Sequence, residues 1–189
     1  GEYVLDALEL VNDGSLKVDN GSTLSISASS DGDVDALRLN DASTVNLVSG
    51  TLNLTAETSQ SADQYGDDEI TAKALNHHSS SATFETAAGT SLVLKATSTG
   101  TGIASADAEA AHIEGVTTFG GTVNATASAV GGYAQGMVTH GDVVFNDKVW
   151  LTASSDTNAA IALGAEESRG TSNSAKITFN GDATLTASS

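Results

Sequence analysis

The sequence contains no cysteine and no proline, and only 7 of its 189 residues are lysine or arginine. Without cysteine the chain has no disulfide framework, no thiolate metal site and no cysteine nucleophile. Against 24 aspartates and glutamates, the few cations leave a formal charge of −17. Because such a chain repels phosphate, we expect no nucleic-acid partner. No apolar run approaches the roughly 18 residues of a membrane-spanning helix, so we expect no direct membrane insertion of this segment.

Large apolar side chains are scarce as well, and alanine and glycine take much of their place. A chain of this composition cannot fill a wide core. It can fill a narrow core, in which small and medium-sized apolar side chains stack in register. Whether it does so depends on the order of the residues along the chain.

A short motif recurs six times along the chain. It consists of an apolar residue, a polar residue and alanine, with another apolar residue two positions earlier in each copy. The copies are Ile26–Ala28, Leu54–Ala56, Leu94–Ala96, Ala125–Ala127, Leu151–Ala153 and Leu185–Ala187. Alternation with a period of two indicates strands, with Leu54 facing inward and Thr55 outward. The mean spacing of about 32 residues is typical of repeat architectures.

A second repeat supports the first, since Asp6–Leu10 returns as Asp35–Leu39. Each unit has room for about three short strands, separated by turn signals such as Asn20-Gly21 that supply positive φ angles. Matching residues recur once per unit, so they meet only if whole units superpose. The sequence therefore predicts an all-β fold, a parallel β-helix (β-solenoid) of about six coils of three short strands. The alternative is an antiparallel sandwich or barrel, in which Asn-Gly closes hairpins.

The repeats run to both ends of the sequence, and the last copy of the motif is followed directly by Ser188-Ser189. The first unit is incomplete too. We therefore expect residues 1–189 to form a single β-solenoid segment, truncated at one or both ends, from a longer array.

Two stretches carry a resemblance to a known family. Gly50–Ala56 reads Gly-Thr-Leu-Asn-Leu-Thr-Ala, and Phe179–Leu185 reads Phe-Asn-Gly-Asp-Ala-Thr-Leu. With the irregular units and the composition rich in Ser, Thr, Asn and Ala, they resemble the passenger domains of bacterial autotransporters and related surface adhesins. The resemblance implies a right-handed parallel β-helix, secreted to the cell surface of a Gram-negative bacterium. It also implies adhesion, cell-to-cell self-association or a stalk as the function.

The partners that this resemblance implies are a host or bacterial surface glycan or protein, or a second copy of the chain. It carries over no catalytic residue, and the Gly-Asp-Ser-Gly motif of the protease subset is absent. Common nucleophile-elbow, nucleotide-binding and zinc-protease motifs are absent as well. We therefore expect a non-catalytic protein without a cofactor.

Two other functions stay open at this point. One is a polysaccharide-active β-helix fragment, which would need carboxylates paired in a cleft. The outward column of the repeated motif has no acidic pair, since it reads Ser27, Thr55, Lys95, Thr126, Thr152 and Thr186. The other is an inert spacer without a ligand.

Candidate metal ligands fit the sequence poorly. Asp31–Asp35 begins like a calcium-binding loop, but Ala36 and Ala42 stand where that loop needs glycine and glutamate, so we expect a solvated corner. His77-His78 is interpreted as part of a polar loop, because adjacent side chains in an extended segment point in opposite directions. His112 and His140 fall in different units and are interpreted as structural or solvated. We therefore predict no metal site.

Two features favour binding. Long loops follow the second and third copies of the motif, and loops that outgrow a repeat scaffold often carry recognition. In the first of these loops, Tyr65 with Asp67 and Asp68 is the predicted contact patch. Trp150, the only tryptophan, falls on an outward strand position from which it can stack on a sugar or a partner.

Overall fold

The computed structural model describes residues 5–59, 70–101, 106–166 and 175–189. All regular elements in these ranges are β-strands. Within them there is accordingly no helix of the length and apolarity that crossing a membrane requires. The strands form a right-handed parallel β-helix of about six coils, which confirms the predicted fold.

Each coil contributes one strand, or a pair of very short strands, to each of three sheets. The first sheet contains β1 (Leu5–Leu10), β4 (Val34–Leu39), β7 (Thr71–His77), β10 (Asp107–Ile113), β13 (Ala134–Gln135), β14 (Val138–Thr139), β17 (Ala160–Ile161) and β18 (Gly164–Ala165). The second sheet contains β2 (Ser15–Val18), β5 (Thr44–Leu47), β8 (Thr83–Thr86), β11 (Thr117–Phe119), β15 (Val143–Phe145) and β19 (Ile177–Phe179). The third sheet contains β3 (Thr23–Ser30), β6 (Thr51–Thr58), β9 (Ser91–Ser98), β12 (Thr122–Ala129), β16 (Val149–Ser155) and β20 (Ala183–Ser188).

The third sheet carries the repeated motif in register. Ile26 pairs with Leu54, Leu54 with Leu94, and the column continues through the remaining copies to Leu185. Leu54 is fully buried, whereas Thr55 lies on the outer face, so the inside and outside positions are as predicted. All strand pairs in the described residues are parallel, which makes the antiparallel alternative wrong.

An aromatic column supports the second sheet from inside the coil. Phe119 and Phe145 pair in register and stack with ring centroids 5.2 Å apart, as do Phe145 and Phe179. Phe84 extends the column to the preceding coil, with its ring centroid 6.0 Å from that of Phe119. Rings at these separations gain attraction beyond their burial, so the column helps to fix the register of the coils.

The strands of the first sheet bend in their middle, which shapes the outer surface. Strand pairing skips Ala36, Ala74 and Ala110, while residues on both sides of them pair in register. Ala36 and the following Leu37 are both fully buried, so the inward and outward alternation shifts by one position there. In the fifth and sixth coils the same position separates the two short strands. As a consequence, residues three apart, rather than two, line the outer face.

Candidate functional site

A cleft of about 610 Å³ lies over the outer face of the first sheet. That face carries three columns of mostly polar residues, one residue per coil, and the cleft covers them from Asp35, Arg38 and His78 onward. The first column is Asp6, Asp35, Lys73, Glu109 and Gln135. The second column is Glu9, Arg38, Asn76, His112 and Val138. The third column follows the strand ends and is Asn40, His78, Glu114, His140 and Glu166. Stacked coils hold column neighbours about 4.8 Å apart.

Opposite charges alternate on the floor of the cleft. The Asp35 carboxylate accepts a 2.7 Å hydrogen bond from the Asn76 amide and lies 3.7 Å from the Arg38 guanidinium. In the next coils, the Lys73 ammonium lies 4.0 Å from the Glu109 carboxylate. Burial raises the pKa of Asp35, although Asn76, Lys73 and Arg38 oppose that shift. These contacts hold charged groups in fixed positions on an outer face that is largely shielded from water.

Asp6 continues the first column beside Asp35. Burial raises its pKa to about 6, and the Asp35 carboxylate adds to the shift by repulsion and by a hydrogen bond that favours the protonated form. Arg38 opposes the shift, and Glu9 adds to it. Two carboxyl groups therefore share this end of the sheet, and Asp6 retains its proton under mildly acidic conditions.

Asp6 should make folding stability depend on pH. Its folded pKa of about 6 lies above the ordinary value of 3.8, so the folded chain binds more protons between those two values. Stability is therefore fully present below pH 4 and falls as the pH rises through about 6. After allowance for solvent screening, the expected loss is about 1 kcal/mol. In urea unfolding we expect Asp6→Asn to restore this lost stability at pH 7. At pH 4, where no stability has been lost, we expect no gain from the substitution.

The matched control is Asp182→Asn, the same change at an exposed carboxylate in the last coil. We expect it to alter stability equally at both pH values. If Asp6→Asn gave the same difference from the unmodified chain at pH 4 and pH 7, the raised pKa of Asp6 would be refuted.

His112 lies between two carboxylates. Its Nδ1 is 3.1 Å from Glu109 Oε1, and its Nε2 is 3.0 Å from Glu114 Oε1. Burial lowers the pKa of His112, but the hydrogen bonds and negative charges of Glu109 and Glu114 outweigh burial, and the net shift is upward. In the absence of any other cation, this balance favours an imidazolium bound by two carboxylates.

His140 faces the same group from the next coil. Its Nε2 lies 4.0 Å from Glu114 Oε1 and 3.9 Å from Glu166 Oε2, and its ring centroid is 5.2 Å from that of His112. The sequence places His112 and His140 in different units, and the structure brings these two units into contact at the two rings. They meet because the pairing of β10 with β14 places His112 beside Val138, which brings His140 next to Glu114. These residues offer the donor types that bind a metal ion.

His77 and His78 point in opposite directions, as predicted. The interpretation that both belong to a polar loop was wrong for His77. It is the last residue of β7 and is fully buried, because its Nε2 finds a partner 3.0 Å away in the Ala82 carbonyl. Thr117 Oγ1 lies 3.4 Å from Nδ1. Burial lowers the pKa of His77. His78 is exposed and lines the cleft.

The expectation of a solvated corner at Asp31–Asp35 was wrong for Asp33 and Asp35. Asp33 accepts a 2.7 Å hydrogen bond from the Thr71 backbone amide of the next coil. Asp35 lies within β4 and is 3% exposed, on the floor of the cleft. Asp33 and Asp35 therefore bond to the neighbouring coil, whereas in a calcium-binding loop such carboxylates would point toward the ion.

The residues predicted to bind lie elsewhere. Tyr65, Asp67 and Asp68 fall outside the described residues. Trp150 lies outward on β16, between Asn124 and Thr184 of the neighbouring coils, and is 41% exposed. That face belongs to the third sheet, so Trp150 is not part of the cleft, and its contact role stays a prediction. The repeat of Asp6–Leu10 at Asp35–Leu39 was used only as a sign of stacked units, but its charged residues at both outward positions are the sequence signal from which the cleft could have been found.

The arrangement offers both hydrogen-bond donors and acceptors at fixed spacing, which suits a ligand rich in hydroxyl groups. Arg38 and Lys73 donate, the carboxylates accept, and the imidazole groups can do either. The described residues that line the cleft include no phenylalanine, tyrosine or tryptophan, so the contacts they offer are mainly polar. The chain matches no protein-family model, and comparisons with curated proteins and with solved structures find no match.

Proposed function

We propose that the chain is a non-catalytic segment of a bacterial surface-displayed β-helix, and that it serves adhesion by binding a glycan in the cleft of the first sheet. The observation that carries the proposal is the cleft itself. Polar side chains of at least four successive coils converge there, and Asp35, Asp107 and Glu109 are almost fully buried although they line an outer surface. Buried charge held by specific partners on one face is typical of a built binding site.

The charge balance indicates the class of glycan. Among the described residues that line the cleft, carboxylates outnumber the permanent cations, which are Arg38 and Lys73. Uronic acids and sulfated sugars would be repelled, whereas neutral sugars and amino sugars would not. We therefore expect a neutral or amino-sugar chain that lies along the coil axis and contacts one or more coils per sugar ring.

Surface display accords with the fold and the composition. A stack of coils with hydrogen bonds between them extends a binding face away from a cell without a large core. If the partner is a second copy of the chain, the same face would serve self-association. A spacer needs no cleft, which is why the proposal places binding above an inert stalk.

Lys73→Gln should weaken glycan binding. The ammonium group of Lys73 lies on the cleft floor, and a hydrogen bond from a charged donor is worth about 1.5–3 kcal/mol, so the expected loss is roughly tenfold or more. The control is Lys95→Gln, the same change at an exposed position of the third sheet, which should leave affinity unchanged. A glycan array selects the probe, and titration calorimetry measures both variants.

Equal affinities of the two lysine variants would place glycan binding outside the cleft. If no neutral or amino-sugar glycan binds, sedimentation at rising concentration tests self-association. A monomer at all concentrations would then leave only the spacer, and the proposal would fail.

A polysaccharide-active enzyme is the second candidate, and a specific observation favours it. Glu109 and Glu114 approach opposite edges of the His112 imidazole, so two carboxylates face one another across a proton-carrying group in a cleft. Paired carboxyl groups of this kind perform acid and base steps in glycoside cleavage. Release of new reducing ends from a bound glycan, abolished in Glu114→Gln, would replace adhesion by this function.

A further inference from the structure

We propose that His112, Glu114 and His140 bind a divalent transition-metal ion of the zinc class at the rim of the cleft. The coordinating atoms of these three residues all lie within 4.8 Å of one another. Two imidazoles and one carboxylate form a donor set that zinc uses in sites with three protein ligands, where a fourth position stays open. The proposal does not depend on the glycan.

The separations between donor atoms are close to what such an ion requires. With bonds of about 2.1 Å in a tetrahedral arrangement, ligand atoms lie roughly 3.3 Å from one another. Glu114 Oε1 is 3.0 Å from His112 Nε2 and 4.0 Å from His140 Nε2. Small side-chain rotations therefore suffice to bring the three donor atoms to the separations that a tetrahedral ion requires. Glu166 Oε2, 3.9 Å from His140 Nε2, is in reach of the fourth position.

Glu109 orients the first ligand. Its side chain is 6% exposed and contacts Nδ1 of His112, which directs Nε2 toward Glu114. A carboxylate behind a ligating histidine is the usual outer-shell arrangement in zinc sites. If Nδ1 donates to Glu109, then Nε2 of the neutral ring and Glu114 Oε1 are both acceptors, and a cation must lie between them.

That cation can be a proton or a metal ion, and the surrounding residues favour the metal. A proton can be shared between only two atoms, and His112 Nε2 and Glu114 Oε1 are sufficient to hold it. His140 brings a further donor atom within 4.8 Å of those of His112 and Glu114, and a proton shared by His112 and Glu114 does not engage it. A metal ion uses all of them at once.

The backbone holds the ligands in advance of binding. The Glu114 amide donates to the His77 carbonyl, the His140 amide to the Ile113 carbonyl and the Glu166 amide to the Thr139 carbonyl, at 3.0, 2.8 and 2.9 Å. Three successive coils thus fix three neighbours in the third column. The site opens into the cleft, since the side chains of Glu114 and His140 are 28% and 10% exposed. An ion can therefore enter without unfolding.

The donor chemistry selects the class of ion. Calcium and magnesium prefer shells made of oxygen atoms, whereas imidazole nitrogen favours zinc, copper, nickel and cobalt. We expect metal-free protein to bind one Zn²⁺ per chain and to gain thermal stability from it. Ca²⁺ and Mg²⁺ should give neither heat of binding nor a thermal shift.

Titration calorimetry with ZnCl₂ on chelator-treated protein tests the proposal. Glu114→Gln and His140→Gln should each weaken Zn²⁺ binding at least tenfold, and Glu109→Gln, which alters a positioning residue, about tenfold. Glu85→Gln, on the exposed face of the second sheet, is the matched control and should bind like the unmodified chain. Co²⁺ in place of Zn²⁺ should give the visible absorption of a four-coordinate site, and Glu114→Gln should abolish it.

Two results would overturn the metal site. One is the absence of stoichiometric Zn²⁺ binding to the unmodified chain, and the other is unchanged affinity in both Glu114→Gln and His140→Gln. Either would show that the cluster is an ion-pair network held by protons only. Circular dichroism confirms that each variant is folded, and if His140→Gln fails this check, the more exposed Glu114→Gln decides. Stoichiometric Zn²⁺ binding by a chain that binds no glycan would leave this proposal standing while the glycan proposal fails, which separates the two.

Discussion

Leu54→Asp is expected to unfold the central coils, whereas Thr55→Asp, one position along β6, should change stability by about 0.5 kcal/mol or less. Leu54 is fully buried between Ile26 and Leu94 in the third sheet. An aspartate there would place an unpaired carboxylate in an apolar column, which costs several kcal/mol, and would also lose the packing of the leucine side chain. Few single domains have stability to spare on that scale.

Thr55 provides the matched control. Its outward neighbour in the next coil is Lys95, so an aspartate at position 55 would meet a cation in water. An exposed pair of this kind contributes about 0–1 kcal/mol. Urea unfolding followed by circular dichroism measures both variants. Equal stability of Leu54→Asp and Thr55→Asp would contradict the stacked arrangement of the coils.

The third sheet could be predicted from sequence because its apolar positions repeat without interruption. From Ile26 to Leu185 every copy keeps the same alternation, and each residue of the motif contacts the matching residue in the next coil. A period of two in the strand and a recurrent spacing between units are sufficient to assign both faces. The variable length of the intervening loops does not disturb them, because loops leave and re-enter at the corners.

The site was not predictable by the same reasoning, for two physical reasons. The strands of the first sheet bend at Ala36, Ala74 and Ala110, so a strict alternation assigns the residues beyond the bend to the wrong face. Which residues meet across coils also depends on loop lengths. His112 and His140 have no common motif in the sequence, and only the register of β10 against β14 shows that they are neighbours. A single slipped residue would separate them.

The corners of the coils follow a different rule, which depends on backbone conformation. Asn20 and Gly21, predicted to form a turn, have φ angles of 59° and 68°. Gly50, at the equivalent corner of the next coil, has a φ angle of 95°. All three angles are positive, but of the two glycines only Gly50 packs directly against the backbone of the preceding coil, at Gly21 and Ser22.

Gly50→Ala should therefore destabilise the chain by at least about 3 kcal/mol, whereas Gly21→Ala should cost only about 1–2 kcal/mol. Both variants place a Cβ atom on a left-handed backbone, which costs about 1–2 kcal/mol per residue. In Gly50→Ala the new Cβ also collides with the Ser22 carbonyl oxygen, whereas nothing lies within 4 Å of a Cβ at Gly21. The Ser22 carbonyl cannot yield easily, because it accepts the 2.9 Å hydrogen bond from the Thr51 amide that joins the two coils.

The comparison of the two glycine variants isolates the contact between coils from the local cost of the turn. Urea unfolding of both variants at one pH gives the difference, since the penalty for positive φ enters both and largely cancels. We expect Gly50→Ala to lose at least about 2 kcal/mol more than Gly21→Ala, because relief of the collision must break a hydrogen bond between coils or separate them at that corner. Equal losses would mean that the corner of the second coil does not rest on the corner of the first, and the tight stacking at that edge of the β-helix would have to be abandoned.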